Sequence, residues 1–174
     1  MIITSGKYKG RKIQVPPESI TRPTLSKVRM AVFNTLQAVI NFEGKSFLDM
    51  YAGSGIMGLE ALSRGFEKAV AIEKNPKVVG VLKTNFAKFD SRPKLYVGDS
   101  LNIINKIDDF FDVVYIDPPY FAGIYEKSLQ ALNPCEIVIL EHVEEVDFVG
   151  FELIKQKKYA DKYITFLRDC RNKK

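Results

Sequence analysis

One rhythm constrains this chain more than any other feature. From residue 46 a short apolar run, a turn and an amphipathic stretch follow one another repeatedly. The runs "SFLDMY", "KAVAIE", "KLYVGD", "FDVVYID" and "EIVILEH" alternate with "GIMGLEALSRG", "PKVVGVLKTNFAKF", "SLNIINKI" and "YEKSLQAL". Strands that are apolar almost throughout cannot have a wet face, so they belong to a parallel sheet covered by helices on both sides. The end of the chain breaks the rhythm. "FELIKQKKYADKYITFLRD" reads as two strands around a turn near Ala160-Asp161, an antiparallel hairpin on the sheet edge. The expected fold is α/β and Rossmann-like: a mostly parallel seven-stranded sheet, that hairpin, and a small N-terminal β extension.

The N-terminal part has a different character. "MIITSGKYKGRKIQVPP" alternates loosely, carries Gly6 and Gly10, and stops at Pro16-Pro17, which suggests a hairpin or extended arm. In "TRPTLSKVRMAVFNTLQAVI" the residues Val28, Val32, Leu36 and Val39 recur at helical spacing, with Thr24 or Ser26 as cap. Charge is distributed unevenly along the 174 residues. Residues 1–29 carry a net +6, residues 155–174 another +6, and the body between them −7. Basic ends on an acidic body suit a polyanion at the ends and a different ligand in the middle. The two thiols, Cys135 and Cys170, match no metal-ligand spacing, so no metal site is expected. The thiols and the absence of a signal-like start or a spanning apolar run point to a reduced, cytoplasmic protein with no membrane partner.

The first strand runs into "DMYAGSGIMG". Gly53, Gly55 and Gly58 match G-x-G-x-x-G at a strand-to-helix turn, and Glu73 ends the next strand about twenty residues after the first glycine, as the pattern requires. Glycines there permit a tight turn and close approach of a ligand, and the carboxylate can accept the two hydroxyls of a ribose. Asp49 closes the first strand beside the turn. It would repel a pyrophosphate and attract an ammonium, which favours S-adenosylmethionine over a nicotinamide dinucleotide. Asp99 ends the third strand, where it can accept from an adenine amine, and Ser100 follows it. Tyr51, Ser54 and Lys74 complete the expected cofactor set.

The fourth strand ends in "DPPY". Pro118 and Pro119 fix φ and remove two backbone donors, leaving rigid carbonyl acceptors. Asp117 adds an acceptor and Tyr120 a flat face. Such a set fits a planar base with an exocyclic amine: the amine donates to Asp117 and the Pro118 carbonyl, and the ring stacks on Tyr120. Asp117 both lines the cofactor site and takes the proton released on transfer. A base presented to such a corner must leave its stack.

Together "DMYAGSG", "AIEKN", "GDS" and "DPPY" resemble the class I amino-methyltransferases. "GKYKGRKI" followed by "RPTLSKVRMAVFNTL" narrows the resemblance to the RsmD-like family, bacterial 16S ribosomal RNA guanine-N2 methyltransferases, over nearly the whole chain. This implies S-adenosylmethionine as methyl donor, guanine N2 as acceptor, and 16S rRNA in the small subunit or its assembly intermediate as partner; nothing in the residues suggests an obligate dimer, so a monomer is expected. The resemblance divides the chain into a basic arm, residues 1–24, and a methyltransferase domain, residues 25–174. By the same resemblance Lys7, Lys9, Arg11, Lys12 and Arg22 would meet RNA, and the run of basic charge adds Lys27 and Arg29. One departure is visible: Ala160 follows Tyr159 where the family often has glycine.

The corner alone does not separate guanine N2 from adenine N6 or cytosine N4. A DNA adenine-N6 methyltransferase is therefore the competing enzyme, a nicotinamide-dependent oxidoreductase a weaker one, and an RNA-binding module without catalysis a non-enzymatic alternative. The single histidine, His142, is expected at the rim, Glu141 is a contender for the pocket, and Phe121 and Tyr125 either cover the base or cap a helix.

Overall fold

The computed structural model describes residues 1–17 and 26–171. In chain order the elements are α1 (Ser26–Gln37), β1 (Ser46–Asp49), α2 (Ile56–Ser63), β2 (Lys68–Glu73), α3 (Pro76–Phe86), β3 (Lys94–Val97), α4 (Ser100–Ile104), β4 (Phe111–Ile116), α5 (Ile124–Ala131), β5 (Cys135–His142), β6 (Phe151–Tyr159) and β7 (Lys162–Asp169). The strands form one seven-stranded sheet in the order β3-β2-β1-β4-β5-β7-β6. Strands β1 to β5 pair in parallel, and β7 is antiparallel to both β5 and β6. The mostly parallel sheet and its terminal hairpin are thus as expected.

Two apolar cores explain why the central strands are apolar at every position. Phe47, Val113, Tyr115, Ile137 and Ile139 face one core, closed by residues of α1, α2 and α3 such as Phe33, Leu59 and Leu82. Leu48, Val114, Ile116, Val138 and Leu140 face the other, closed by Ile104 of α4 and Tyr125 and Leu129 of α5. Successive side chains of a strand point to opposite faces, so both must be apolar when both faces are covered. Each fully buried aliphatic or aromatic side chain contributes roughly 1.5–3 kcal/mol relative to exposure.

Chain order and sheet order diverge between β1 and β4. The chain proceeds from β1 outward through β2 to β3, then returns to pair β4 on the other side of β1. A crevice opens outside the carboxyl ends of strands where such a reversal occurs. In the β1–β4 register Asp49 is opposite Tyr115, so the chain leaving β1 and the chain leaving β4 emerge side by side.

The N-terminal extension closes on itself through one antiparallel bridge, Ile2 to Lys12, rather than through extended strands. Its Ile3, Tyr8 and Ile13 are buried in the first core. Ser63 ties it to α2: the Lys7 amide donates to the Ser63 carbonyl at 2.8 Å, and the Tyr8 amide to Oγ at 2.9 Å. Gly6 is required there, since a Cβ would lie 1.7 Å from the Ser63 carbonyl oxygen. The expected boundary at residues 24 and 25, the Thr24 cap and Arg22 all lie outside the described residues. Among the described residues no helix is long and apolar enough to cross a membrane.

One expectation is corrected here. Arg29, assigned to RNA, is fully buried. Its Nε reaches Glu60 Oε1 at 3.5 Å and Nη2 donates to the Ile2 carbonyl at 2.7 Å. Glu60 is also buried, pairs with Arg64 at 3.2 Å, and accepts from the Thr4 amide at 2.7 Å. The arginine faces inward because the helical period that buries Val32, Phe33 and Leu36 carries position 29 with them. Its charge balances a carboxylate that holds the extension on α2.

Candidate active site

The turn after β1 owes its shape to two glycines used differently. Gly53 has φ +51°, and the space where a Cβ would stand is empty. Gly55 has φ +78°, and a Cβ would press on Leu82 Cδ2 at 2.4 Å and Phe86 Cε1 at 2.5 Å. Gly55 therefore seats the turn against α3, while Gly53 leaves the cavity open. The Gly53 amide donates to Glu73 Oε2 at 3.0 Å and the Asn75 amide to Oε1 at 2.8 Å. Asn75 in turn caps α3, its side chain accepting from the Lys77 amide ahead of Pro76 at the first helical position.

A cavity of about 430 Å³ opens at the carboxyl ends of the strands. The glycine turn and Glu73 line it on one side, and Asp117, Pro118, Pro119 and Tyr120 on the other. Val15, Met57, Ile72 and Val78 add apolar surface. Of the expected cofactor residues, Asp49, Tyr51, Gly53, Ser54, Glu73, Lys74, Ser100 and Asp117 all line this space. Gly55 and Asp99 do not. Asp99 caps α4, its Oδ1 accepting from the Leu101 amide, and its Oδ2 lies 3.6 Å from Lys74 Nζ.

Asp49 is the least satisfied group in this region. It is 1% exposed, and neither carboxylate oxygen has a well-formed hydrogen bond. Burial raises its pKa well above the usual carboxylate range, and the charges of Asp117 and Glu73 raise it further; the Tyr51 amide offsets this only in part. A buried carboxylate without a partner is costly unless a cation reaches it. The donor set of this cavity therefore suits a ligand with positive charge near Asp49 and hydroxyls near Glu73. Tyr51 also serves the frame: its hydroxyl meets Ser128 Oγ at 2.7 Å, and Ser128 donates to the Ile124 carbonyl.

The corner after β4 holds a charged group that the motifs did not reveal. Lys162, first residue of β7, lines the cavity and places Nζ 3.4 Å from Asp117 Oδ1 and 3.1 Å from Glu141 Oε2. The other oxygen of Glu141 accepts a short hydrogen bond from the Tyr115 hydroxyl. The same ammonium lies 5.7 Å from the centroid of the Tyr120 ring. Burial pushes the Asp117 pKa up, the Glu141 charge adds to this, and Lys162 pulls it back, leaving it at about 7. Burial opposes the charge on Lys162, but Asp117 and Glu141 outweigh it and raise its pKa. Glu141 thus reaches the corner by way of Lys162.

His142 is buried rather than at the rim. Its Nδ1 meets the Glu144 carbonyl at 2.7 Å and its Nε2 the Thr165 hydroxyl at 2.8 Å, so both ring nitrogens are occupied by the frame. Tyr125 is also core, 1% exposed, whereas Phe121 is exposed. Lys7, Lys9, Arg11, Lys12 and Lys27 are exposed. Arg11 is nonetheless anchored, donating to the Lys88 carbonyl with its guanidinium 4.2 Å from the Phe89 centroid. Among the described residues no cluster of His, Cys, Asp and Glu could hold a metal ion.

Residues 1–168 match the family model described as Conserved hypothetical protein 95. YlbH of Bacillus subtilis (strain 168) is 32% identical over 158 residues, covering 84% of this chain and 85% of that protein. Ribosomal RNA small subunit methyltransferase D of Escherichia coli (strain K12) is 34% identical over 132 residues, covering 75% of this chain and 66% of that protein. Among solved structures, yhhF from Escherichia coli superposes with a TM-score of 0.82 at 25% identity, with 98% of each chain covered.

Proposed function

The chain belongs to the family described as Conserved hypothetical protein 95, the RsmD-like family its motifs resemble, and from that premise we propose that it transfers a methyl group from S-adenosylmethionine to the exocyclic N2 of a guanine in 16S rRNA. The observation that carries the reading is one of juxtaposition. A single cavity is lined by the glycine turn with Asp49 and Glu73 and, opposite, by the rigid Asp117–Tyr120 corner. A donor and an acceptor base can meet only if both half-sites open into one space. Its volume lies within the roughly 300–1,000 Å³ common for small-molecule sites.

In this reading Asp49 holds the ammonium of the donor, Glu73 its ribose hydroxyls, and Val15, Ile72 and Val78 flank the adenine. When bound, S-adenosylmethionine supplies an electrophilic methyl group on a sulfonium. The Asp117 carboxylate and the Pro118 carbonyl accept the two hydrogens of the guanine amine and aim its lone pair into the cavity. Tyr120, 44% exposed, offers its face to the base. Holding the reacting atoms in line can contribute roughly 7–11 kcal/mol in favourable cases. With a pKa of about 7, Asp117 can take the proton that N2 gives up and release it to water. Residues 1–24 are the arm that meets RNA, through Lys7, Lys9, Lys12, Arg22 and, beyond the arm, Lys27.

The guanine assignment follows from family membership, since the corner would serve an adenine N6 equally. The test is tritium transfer from S-adenosylmethionine to small-subunit particles from a strain lacking this protein, with duplex DNA as the parallel substrate. Nucleoside digestion should recover the label as N2-methylguanosine. Label in N6-methyladenine of DNA would overturn the reading.

A further inference from the structure

We propose that Lys162 is a positioning residue for this transfer: its ammonium, held between Asp117 and Glu141 and against Tyr120, keeps the Asp117 carboxylate an acceptor aimed at the base. The inference rests on the methyl-transfer reading above and adds a residue that none of the motifs contains.

Several acids crowd one corner. Asp49 arrives from the end of β1, Asp117 from the end of β4 and Glu141 from β5, with Glu73 of β2 further along the same cavity. Tyr115 of β4 backs Glu141, and Tyr120 flanks the corner. Against these, β7 contributes Lys162, and its ammonium makes contacts of 3.4 Å to Asp117 and 3.1 Å to Glu141. Buried like charges cannot all ionise without a counter-charge, so one would keep a proton. Asp117 is the one whose proton matters. Protonated, it offers the incoming amine an O–H donor and loses an acceptor; ionised, it accepts from the amine and orients the nitrogen lone pair. Lys162 biases that choice toward the ionised form. The geometry also explains why the residue is a lysine on the hairpin: β7 is antiparallel to β5, so its first residue stands at the carboxyl edge where Asp117 emerges.

The experiment compares the unaltered chain with Lys162→Met, Lys162→Arg and Lys162→Met/Glu141→Gln. Methyl transfer to small-subunit particles is followed from pH 6 to 9, and binding of S-adenosylhomocysteine is measured by calorimetry as a check on folding. For Lys162→Met we expect kcat to fall about fivefold at pH 7 and to recover as pH rises, because the acidic limb of the kcat profile moves up by about one unit. S-adenosylhomocysteine binding should stay within about twofold, since Lys162 faces the acceptor side. Lys162→Arg should retain the original limb. Removing the second carboxylate in the double variant should move the limb back down. A Lys162→Met profile that is unchanged, or lowered equally at every pH, overturns the proposal, as does a double variant no different from the single one. Should the unaltered chain itself transfer no methyl to these particles, the methyl-transfer reading fails and the role of Lys162 with it. An active unaltered chain with an indifferent Lys162→Met removes Lys162 alone.

Discussion

The Gly53 amide donates to Glu73 Oε2 at 3.0 Å, so the tip of the first turn is tied to the end of β2 across twenty residues of chain. Glu73 also accepts from the Asn75 amide. Each carboxylate oxygen has a second lone pair, and the residue lines the cavity. One side chain therefore shapes the turn and remains able to accept from a ligand.

Replacing Glu73 should separate these roles. In Glu73→Gln one oxygen remains to accept from a backbone amide, so the turn should persist while S-adenosylhomocysteine binding weakens by about tenfold. Glu73→Ala should weaken it further and lower Tm as well. Calorimetry and thermal melting decide this, and unchanged affinity in Glu73→Ala would remove the residue from the site.

Asp49 presents a trade of stability for binding. Its folded-state pKa is raised, so its contribution to stability is fully present below the unfolded-state value near pH 4 and is lost as pH rises. Asp49→Asn should therefore melt higher than the unaltered chain at pH 7.5, with the gap closing toward pH 4. The same variant should bind S-adenosylhomocysteine at least about tenfold more weakly. Lower stability at pH 7.5 would show that Asp49 already has a partner.

Asp117 follows the same sign with a defined window. A folded pKa of about 7 means that stability present below pH 4 declines as pH passes 7. Asp117→Asn should flatten the fall in stability between pH 5 and pH 8, a difference on the order of 2–4 kcal/mol. It should lower kcat by about a hundredfold or more while S-adenosylhomocysteine still binds. Urea titrations across pH, paired with single-turnover transfer, measure both, and normal transfer by this variant would reject Asp117 as the acceptor.

Arg29 should behave as frame rather than as an RNA ligand. Removing one partner of a buried pair typically costs about 3–5 kcal/mol, so Arg29→Ala should unfold at markedly lower urea. At low temperature, where it remains folded, the salt dependence of its RNA binding should match that of the unaltered chain. Lys9→Ala and Lys12→Ala should each reduce the salt slope by about one without altering stability.

Ala160 sits at φ +54° in the two-residue turn between Tyr159 and Lys162. That backbone region costs an L-residue roughly 1–2 kcal/mol, and glycine adopts it freely. Ala160→Gly should stabilise the hairpin by about 1 kcal/mol, read as a higher urea midpoint with an unchanged m-value.

The order of strands and helices was legible because it rests on local chemistry. Apolar runs of strand length, Pro76 in a first turn and Gly65 after a helix act within a few residues of themselves. That the glycine turn, Glu73 and "DPPY" would line one cavity was legible because each ends a strand of a parallel sheet, and parallel strands deliver their carboxyl ends to one edge. Asp99 carries two demands at once: its Oδ1 caps α4, and it stands at the strand end expected to meet an adenine amine. A carboxylate two residues before a free helix amide caps that helix, and its strand-end position does not show which demand prevails.

By itself the sequence determined the parallel sheet, the cavity edge and the acids and prolines gathered there, since spacing along the chain is enough to encode them. Only the tertiary structure decided that Lys162 joins Asp117 and Glu141, that Arg29 turns inward to Glu60, and that Asp49 is buried with neither oxygen in a well-formed hydrogen bond. Those outcomes depend on β7 rather than β6 pairing with β5, on which helix face packs inward, and on how much water each carboxylate loses. All three are set by contacts between residues far apart in the chain, which no local pattern records.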